Sequence, residues 1–328
     1  MPRTLPALAL AGLVLTASLA AVAPAHAAPG QGRAPSPAST CALDDGRTTL
    51  TIPSGGLDRT VVVHVPESAG TRAAPLVLDL HGSNSTPAEQ LTRSQLDRTA
   101  DREGFIVAAP QGALPAAAGF VWNVPNTATD VAGAPDDEAF LQDVIDTLVD
   151  AGCVDERRVY AAGYSGGGRM VSQFACDNPT AVAAIAPVAG LRAGAPLVVD
   201  GGFVPNPQTC APGDGVPVIT FNGTADPVNP FAGGGAAYWG YGALAASERW
   251  ADLNGCHTVK ESRVSENVTL TDHRGCPGNA AVRQYVIAGG GHTWPGGNAA
   301  AFPGAGVTTT EISANDLMWD FFEQRRTR

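Results

Sequence analysis

The chain has 328 residues, 44% hydrophobic and 16% charged, a globular composition that excludes general disorder. Its 31 acidic side chains outnumber the 20 basic ones, giving a net charge of -11, which argues against a nucleic-acid binder working through a basic surface. The length admits about two domains, although one α/β domain can take most of it.

Residues 1–27 read as an export leader rather than as fold. Arg3 supplies a small positive start, residues 5–22 are apolar, and Ala25-His26-Ala27 fits the small-x-small pattern for cleavage after Ala27. A membrane anchor is the weaker reading, because the apolar stretch is short and lies directly before that pattern. Residues 28–40, rich in Pro, Ala, Gly and Ser, read as a flexible leader. The six cysteines, Cys41, Cys153, Cys176, Cys210, Cys256 and Cys276, all lie beyond it. An even number in an exported chain predicts three disulfides, with the pairing open. No C-x-x-C pair exists, so metal binding is disfavoured.

Beyond the leader, short apolar runs alternate with helical patterns. Strands are expected at 48–53, 60–65 and 76–80, a helix over 88–103, a strand at 105–109 and a helix over 137–151. A strand at 159–162, a helix over 166–176, strands at 183–187 and 216–221, a helix over 244–253, a strand at 282–287 and a helix over 312–324 follow. Asp136 or Asp137 caps the helix over 137–151, and Leu141, Val144, Ile145, Leu148 and Val149 give it one apolar face. Gly255 closes the helix over 244–253. The inner strands are almost wholly apolar, as parallel strands buried on both faces are. The first two, joined by PSGGLD, look antiparallel. The alternation predicts an α/β fold, with a mostly parallel sheet and helices on both faces. No second domain, long linker or internal repeat is visible. The Gly- and Pro-rich segments 189–215 and 222–242 read as loops near the strand ends, where sites on such sheets form.

The sharpest motif is Gly163-Tyr164-Ser165-Gly166-Gly167. It follows the apolar strand VYAA and precedes the helical run GGRMVSQFAC, the strand–turn–helix context that a nucleophile elbow requires. The serine would stand exposed at a helix N-terminus, where the dipole favours developing negative charge. A serine hydroxyl needs a general base. Of the six histidines, His292 stands just after the last strand in a glycine-rich loop that could turn it into a site. His26 leaves with the leader, His64 lies in a strand pattern, His81 ends a strand, and His257 and His273 read as surface residues. The orienting acid should fall between serine and histidine in this architecture. Among Asp177, Asp200, Asp214, Asp226, Asp252 and Asp272, only Asp226 follows a buried-type strand in a short turn. Asp252 sits in a helix pattern, and Asp272 reads as exposed.

Two backbone donors are needed for the oxyanion. The Gly166 N–H is the natural first; the turn in LDLHGSNS offers the second, Ser83, with Gly82 as its neighbour. Trp122, Trp294 and Tyr164 are candidates to line the acyl or alcohol side; Trp239, Tyr238 and Tyr241 also lie in expected loops, where ordinary packing explains them equally well. The glycine run at 233–235 lacks a following Lys-Ser/Thr and is no phosphate loop. Asn84, Asn222 and Asn267 fit N-x-[ST], but no glycosylation is inferred.

The segments LDLHGSNS, APDDEAFLQDVIDTLV, RVYAAGYSGGGRM, NGTADPVNPF, RWADLNGC and GGGHTWPGG, taken together and in this order, resemble secreted esterases of the poly(3-hydroxybutyrate) depolymerase type. These are related to the feruloyl and acetylxylan esterases of carbohydrate esterase family 1. The resemblance runs from about residue 48 to the C-terminus. It implies an α/β-hydrolase fold, Ser165 as nucleophile, Asp226 as acid, His292 as base, and an oxyanion hole from Ser83 and Gly166, with no cofactor or metal. The pairing that goes with it is Cys41–Cys153, Cys176–Cys210 and Cys256–Cys276. Several polymer depolymerases carry a linker and a polymer-binding domain; here residues 41–328 are expected to form one catalytic domain, monomeric and extracellular. Substrates implied are polyhydroxyalkanoate-type polyesters or their oligomers, then acylated plant polysaccharide. A peptidase and a non-catalytic secreted binding protein of the same fold are the rival readings.

Overall fold

The computed structural model describes Met1, residues 41–69 and residues 73–327. The expected leader, apart from Met1, and the segment 28–40 lie outside these residues. The chain enters through an antiparallel pair, β1 (Gly46–Ser54) and β2 (Leu57–Val65), then runs into β3 (Ala74–Leu80). Two short helices, α1 (Pro87–Ser94) and α2 (Leu96–Glu103), lead to β4 (Ile106–Pro110). Next come α3 (Asp137–Asp150), β5 (Val154–Tyr164), α4 (Gly166–Asp177), β6 (Ala184–Val188) and β7 (Val218–Gly223). The chain finishes with α5 (Ala243–Leu253), β8 (Thr258–Arg263), β9 (Val268–Arg274), β10 (Val282–Ile287) and α6 (Ala314–Phe322).

These ten strands make one sheet in the order β1-β2-β4-β3-β5-β6-β7-β10-β9-β8. The centre, from β4 through β10, is parallel, and the two ends are antiparallel. This is the α/β-hydrolase arrangement that the resemblance implies. Every residue of β3, β4, β6 and β7 is buried, which explains why these segments read as almost wholly apolar runs instead of alternating ones. Leu76, Leu78 and Leu80 point into a core with Phe140, Val144, Met170, Phe174 and Trp250 of α3, α4 and α5. Val77 faces the other core, with Leu91, Leu96, Phe321 and Phe322 of α1, α2 and α6. Among the described residues no helix is long and apolar enough to cross a membrane.

Two expectations about elements change. The helix expected over 88–103 is two, because Gln95 sits in the left-handed region at φ 54°. The buried Asp79 of β3 explains the break: its two oxygens accept hydrogen bonds from Gln90 and Ser94, each at 2.7 Å. Ser94 Oγ also accepts from the Leu96 N–H, so a side chain takes the place of a helical carbonyl. The β8–β9 hairpin was not expected, since its outer strand TVKESR is polar and exposed, as an unpaired sheet edge must be to stay soluble. Asp272, read as exposed, is buried on β9 and paired with Arg274 at 2.7 Å and Arg283 at 3.6 Å.

Disulfides join Cys41 to Cys153, Cys176 to Cys210, and Cys256 to Cys276. They anchor the start of the described chain to the entry of β5, the end of α4 to the loop before β7, and the end of α5 to the turn after β9. Asp136 caps α3, accepting from the N–H groups of Glu138 and Ala139.

Candidate active site

The parallel register brings the carboxyl ends of the central strands level. Leu80 pairs with Gly163, Tyr164 with Val188, Val188 with Phe221, and Gly223 with Ile287. Each of β3, β5, β7 and β10 is followed at this edge by a segment that the sequence singled out: 81–83, Ser165, Asp226 and His292. Four elements far apart in the chain thereby converge on one cleft.

Ser165 sits between β5 and α4 with φ 53° and ψ -111°, a backbone conformation that few non-glycine residues adopt. Such strain persists because the surroundings impose it. A Cβ on Gly163 would lie 2.5 Å from the Gly167 carbonyl carbon, and one on Gly167 would lie 2.2 Å from Leu80 O. Strand and helix therefore pack backbone to backbone, and the serine is pushed out at the elbow's tip.

His292 lies on the loop after β10. Its Nδ1 donates to Asp226 Oδ2 at 2.6 Å. The other carboxylate oxygen, Asp226 Oδ1, accepts the Val228 and Asn229 N–H groups, both at 2.8 Å. With both oxygens engaged, the carboxylate is fixed, and the proton on Nδ1 leaves Nε2 as the basic nitrogen. The imidazole is anchored through its backbone as well. The His292 N–H donates to Ala305 O at 2.7 Å, and its carbonyl accepts the Tyr164 hydroxyl at 2.6 Å. Burial raises the pKa of the Tyr164 phenol, which keeps it a donor.

Ser165, His292, Gly82, Ser83, Tyr164, Val228, Tyr238 and Phe302 line one open cavity of about 320 Å³. Ser165 and His292 share this cavity without a direct side-chain hydrogen bond; in ligand-free sites that bond is commonly long and tightens with substrate. Gly166 is the first residue of α4, where N–H groups have no intrahelical partner. A Cβ there would lie 2.9 Å from Ser83 N, so the two expected oxyanion donors are neighbours. The Ser83 N–H takes no partner among the hydrogen bonds of the described residues.

Trp122 and Trp294, expected to line the substrate, are corrected to packing residues, for both are buried away from the cavity. Trp122 donates its indole N–H to His81 O at 2.7 Å, and Trp294 donates to Asn315 Oδ1 at 2.8 Å. Indoles of this kind bury a large apolar body and spend their one donor internally. His81 is also buried. Its Nδ1 donates to Gly82 O at 2.8 Å, and its Nε2 accepts the Gly112 N–H at 3.0 Å. Burial lowers its pKa to about 4, so it is a neutral strut under the turn at 82–83. Tyr164 does line the cavity.

Sequence reasoning missed Arg93, Arg169 and the loop carrying Phe302 and Pro303. Arg93 lines the cavity and donates from Nε to Ala301 O at 3.2 Å, fastening that loop to α1. No local pattern marks such residues, since their partners lie 86 positions away for Arg169 and 208 for Arg93.

Residues 60–198 match the family described as Esterase PHB depolymerase. The chain is 33% identical over 242 residues to a feruloyl esterase B of Piromyces equi, covering 71% of this chain and 42% of that protein. It is 30% identical over 349 residues to the putative esterase NocK of Nocardia uniformis subsp. tsuyamanensis, covering 96% of each. The chain thus spans less than half the length of the first and nearly all of the second. In fold it is similar to the acetyl xylan esterase from Aspergillus awamori, with a TM-score of 0.56 over 85% of this chain and 99% of that one at 16% identity. An elbow serine, a carboxylate-bound histidine and this degree of likeness agree: the chain belongs to the PHB depolymerase family of esterases, carboxylic ester hydrolases related to the feruloyl and acetylxylan esterases.

Proposed function

We propose that the protein is an exported serine esterase using Ser165, His292 and Asp226 as its triad. The observation that carries this reading is the 2.6 Å bond from His292 to Asp226 in a molecule whose elbow serine faces the same cavity. Ser165 Oγ attacks the ester carbonyl while His292 Nε2 takes its proton. The tetrahedral oxyanion accepts the N–H groups of Gly166 and Ser83. His292 then gives the proton to the departing alcohol, leaving an acyl-enzyme. Water attacks the acyl carbon by the same route, and the acid leaves as the serine recovers its proton. Asp226 holds the imidazole tautomer and offsets the imidazolium charge.

The substrates are polyhydroxyalkanoate-type polyesters or their oligomers. The family match and the apolar cavity wall of Val228, Phe302 and Pro303 support this, since a polyester chain offers ester groups on an aliphatic backbone. A second reading, feruloyl or acetyl esters of plant polysaccharide, is favoured by the similarity to an enzyme named feruloyl esterase. Three disulfides support an oxidising compartment, with the leader cleaved after Ala27 and residues 41–328 acting as a monomeric catalytic domain.

The test is product release from 3-hydroxybutyrate oligomers and amorphous polymer, feruloylated xylo-oligosaccharide and acetylated xylan. Ser165→Ala should keep its circular dichroism and lose turnover by about 10⁶-fold. A fluorophosphonate should label the parent at Ser165 alone. Full activity of the variant, or labelling elsewhere, would remove the triad assignment; ferulate or acetate as the dominant product would replace the polyester reading with the second one.

A further inference from the structure

Arg169 is the fourth residue of α4, and its side chain is 5% exposed. Its Nη2 donates to Ser83 Oγ at 3.1 Å. The same nitrogen lies 3.3 Å from where a Cβ on Gly166 would stand. The guanidinium carbon is 3.9 Å above the centre of the Tyr238 ring, which lines the cavity. Arg169 Nε and Nη1 are buried and have no hydrogen-bond partner. No ion pair among the described residues includes Arg169. A second buried arginine, Arg192, donates from Nε and Nη1 to backbone carbonyls of Leu191, Trp239 and Tyr241, and it adds positive rather than negative charge to its neighbour's surroundings.

A buried cation without a counter-ion costs stability, met here only in part by the Tyr238 ring and the Ser83 hydroxyl, so its presence beside the cleft calls for a functional reason. Burial lowers the pKa of Arg169 only to about 10, so the charge persists at neutral pH. The negative charge expected nearby is transient: the oxyanion formed between Ser83 and Gly166 in the mechanism above. Donors and charges fixed behind such a point in a low-dielectric site act on the transition state more than on the ground state.

We propose that Arg169 is a positioning residue of the oxyanion hole. Its guanidinium holds the Ser83 hydroxyl, thereby setting the direction of the Ser83 N–H, and its positive charge stands behind the oxyanion. This rests on the triad reading above. Arg169 touches no substrate; it acts through the Ser83 that it holds and through its fixed charge behind that turn.

The experiment compares Arg169→Met, Ser83→Ala and the double variant on a soluble ester, measuring kcat, KM, melting temperature and affinity for phenylboronic acid, which adds to the serine as a tetrahedral anion. Arg169→Met should lose kcat by about 10- to 100-fold with KM unchanged within about twofold, and boronate affinity should fall by a similar factor. Its melting temperature should hold or rise, because an unpaired buried charge has gone. Ser83→Ala keeps the N–H and removes the partner, so it should reproduce part of the loss, and the double variant should be no worse than Arg169→Met. Unchanged kcat, additive losses, or a parallel fall in kcat and melting temperature would overturn the proposal. If Arg169→Met does not fold, Ser83→Ala decides alone: full kcat and boronate affinity in that variant would refute it. Failure of the parent to be labelled at Ser165 would instead strike the triad reading, so the two failures are distinguishable.

Discussion

On the nucleophile side of the cleft, Ser165 is held by backbone contact. Gly163 and Gly167 let β5, α4 and β3 approach to distances no side chain would allow, and the strain at φ 53° is stored there. On the base side, Asp226 and His292 stand on loops held by hydrogen bonds: two N–H groups on one carboxylate oxygen, the imidazole on the other, and the Ala305 carbonyl and Tyr164 hydroxyl on the histidine backbone. The difference teaches which part of the site tolerates change. A steric frame fails as a unit and takes stability with it, whereas a hydrogen-bonded loop can lose one donor and keep its fold.

The largest separation of the two sides should come from Asp226→Asn. The variant keeps its shape but favours the wrong imidazole tautomer, so kcat should fall about 10⁴-fold while the melting temperature barely moves. Steady-state kinetics beside a thermal melt reads both. Gly167→Ala tests the steric side. Its methyl would lie 2.2 Å from Leu80 O and 2.6 Å from His81 O, so strand and helix must separate. A loss of about 1–3 kcal/mol by urea titration is expected, together with reduced kcat, because β3 carries the turn proposed to hold the oxyanion. A stable, fully active variant would show the close contact to be dispensable.

Tyr164→Phe joins the comparison, since this ring belongs to the elbow strand while its hydroxyl serves the histidine loop. Removing the donor leaves the His292 carbonyl unpaired, at a cost of about 1–3 kcal/mol, and kcat should fall several-fold. The smallest effect is expected at the start of α3, where Glu138 lies near Asp177 at the end of α4. Burial first, then the charge of Asp177, raises the Glu138 pKa to about 8. The folded state thus disfavours the ionised form, and its stabilising share is lost as pH rises from about 4.5 to about 8. Glu138→Gln should match the parent near pH 4.5 and melt higher above about pH 8. Identical melting curves for the two proteins across that window would dismiss the effect.

Several features were legible in the residues alone because they are local. The almost wholly apolar inner strands reported a parallel sheet through their lack of alternation. Asp136 or Asp137 marked a helix start, and Ser165 between strand and helix announced an elbow. Order along the chain, serine then Asp226 then His292, followed from the architecture. The α1–α2 break was not legible, because Ser94 turns to Asp79 on a different element. Nor was the β8–β9 hairpin, whose polar edge carries no apolar pattern.

The sequence by itself determined the α/β class, the elbow motif and which loops end at the active edge, because these depend on periodicity and turn chemistry within a few residues. Only the tertiary structure decided that Trp122 and Trp294 pack rather than bind, that Asp272 is buried, and that Arg169 lies behind Ser83 with no ion pair among the described residues. The physical reason is that burial and the choice of partner are set between segments many tens of residues apart, when the sheet's register brings them together.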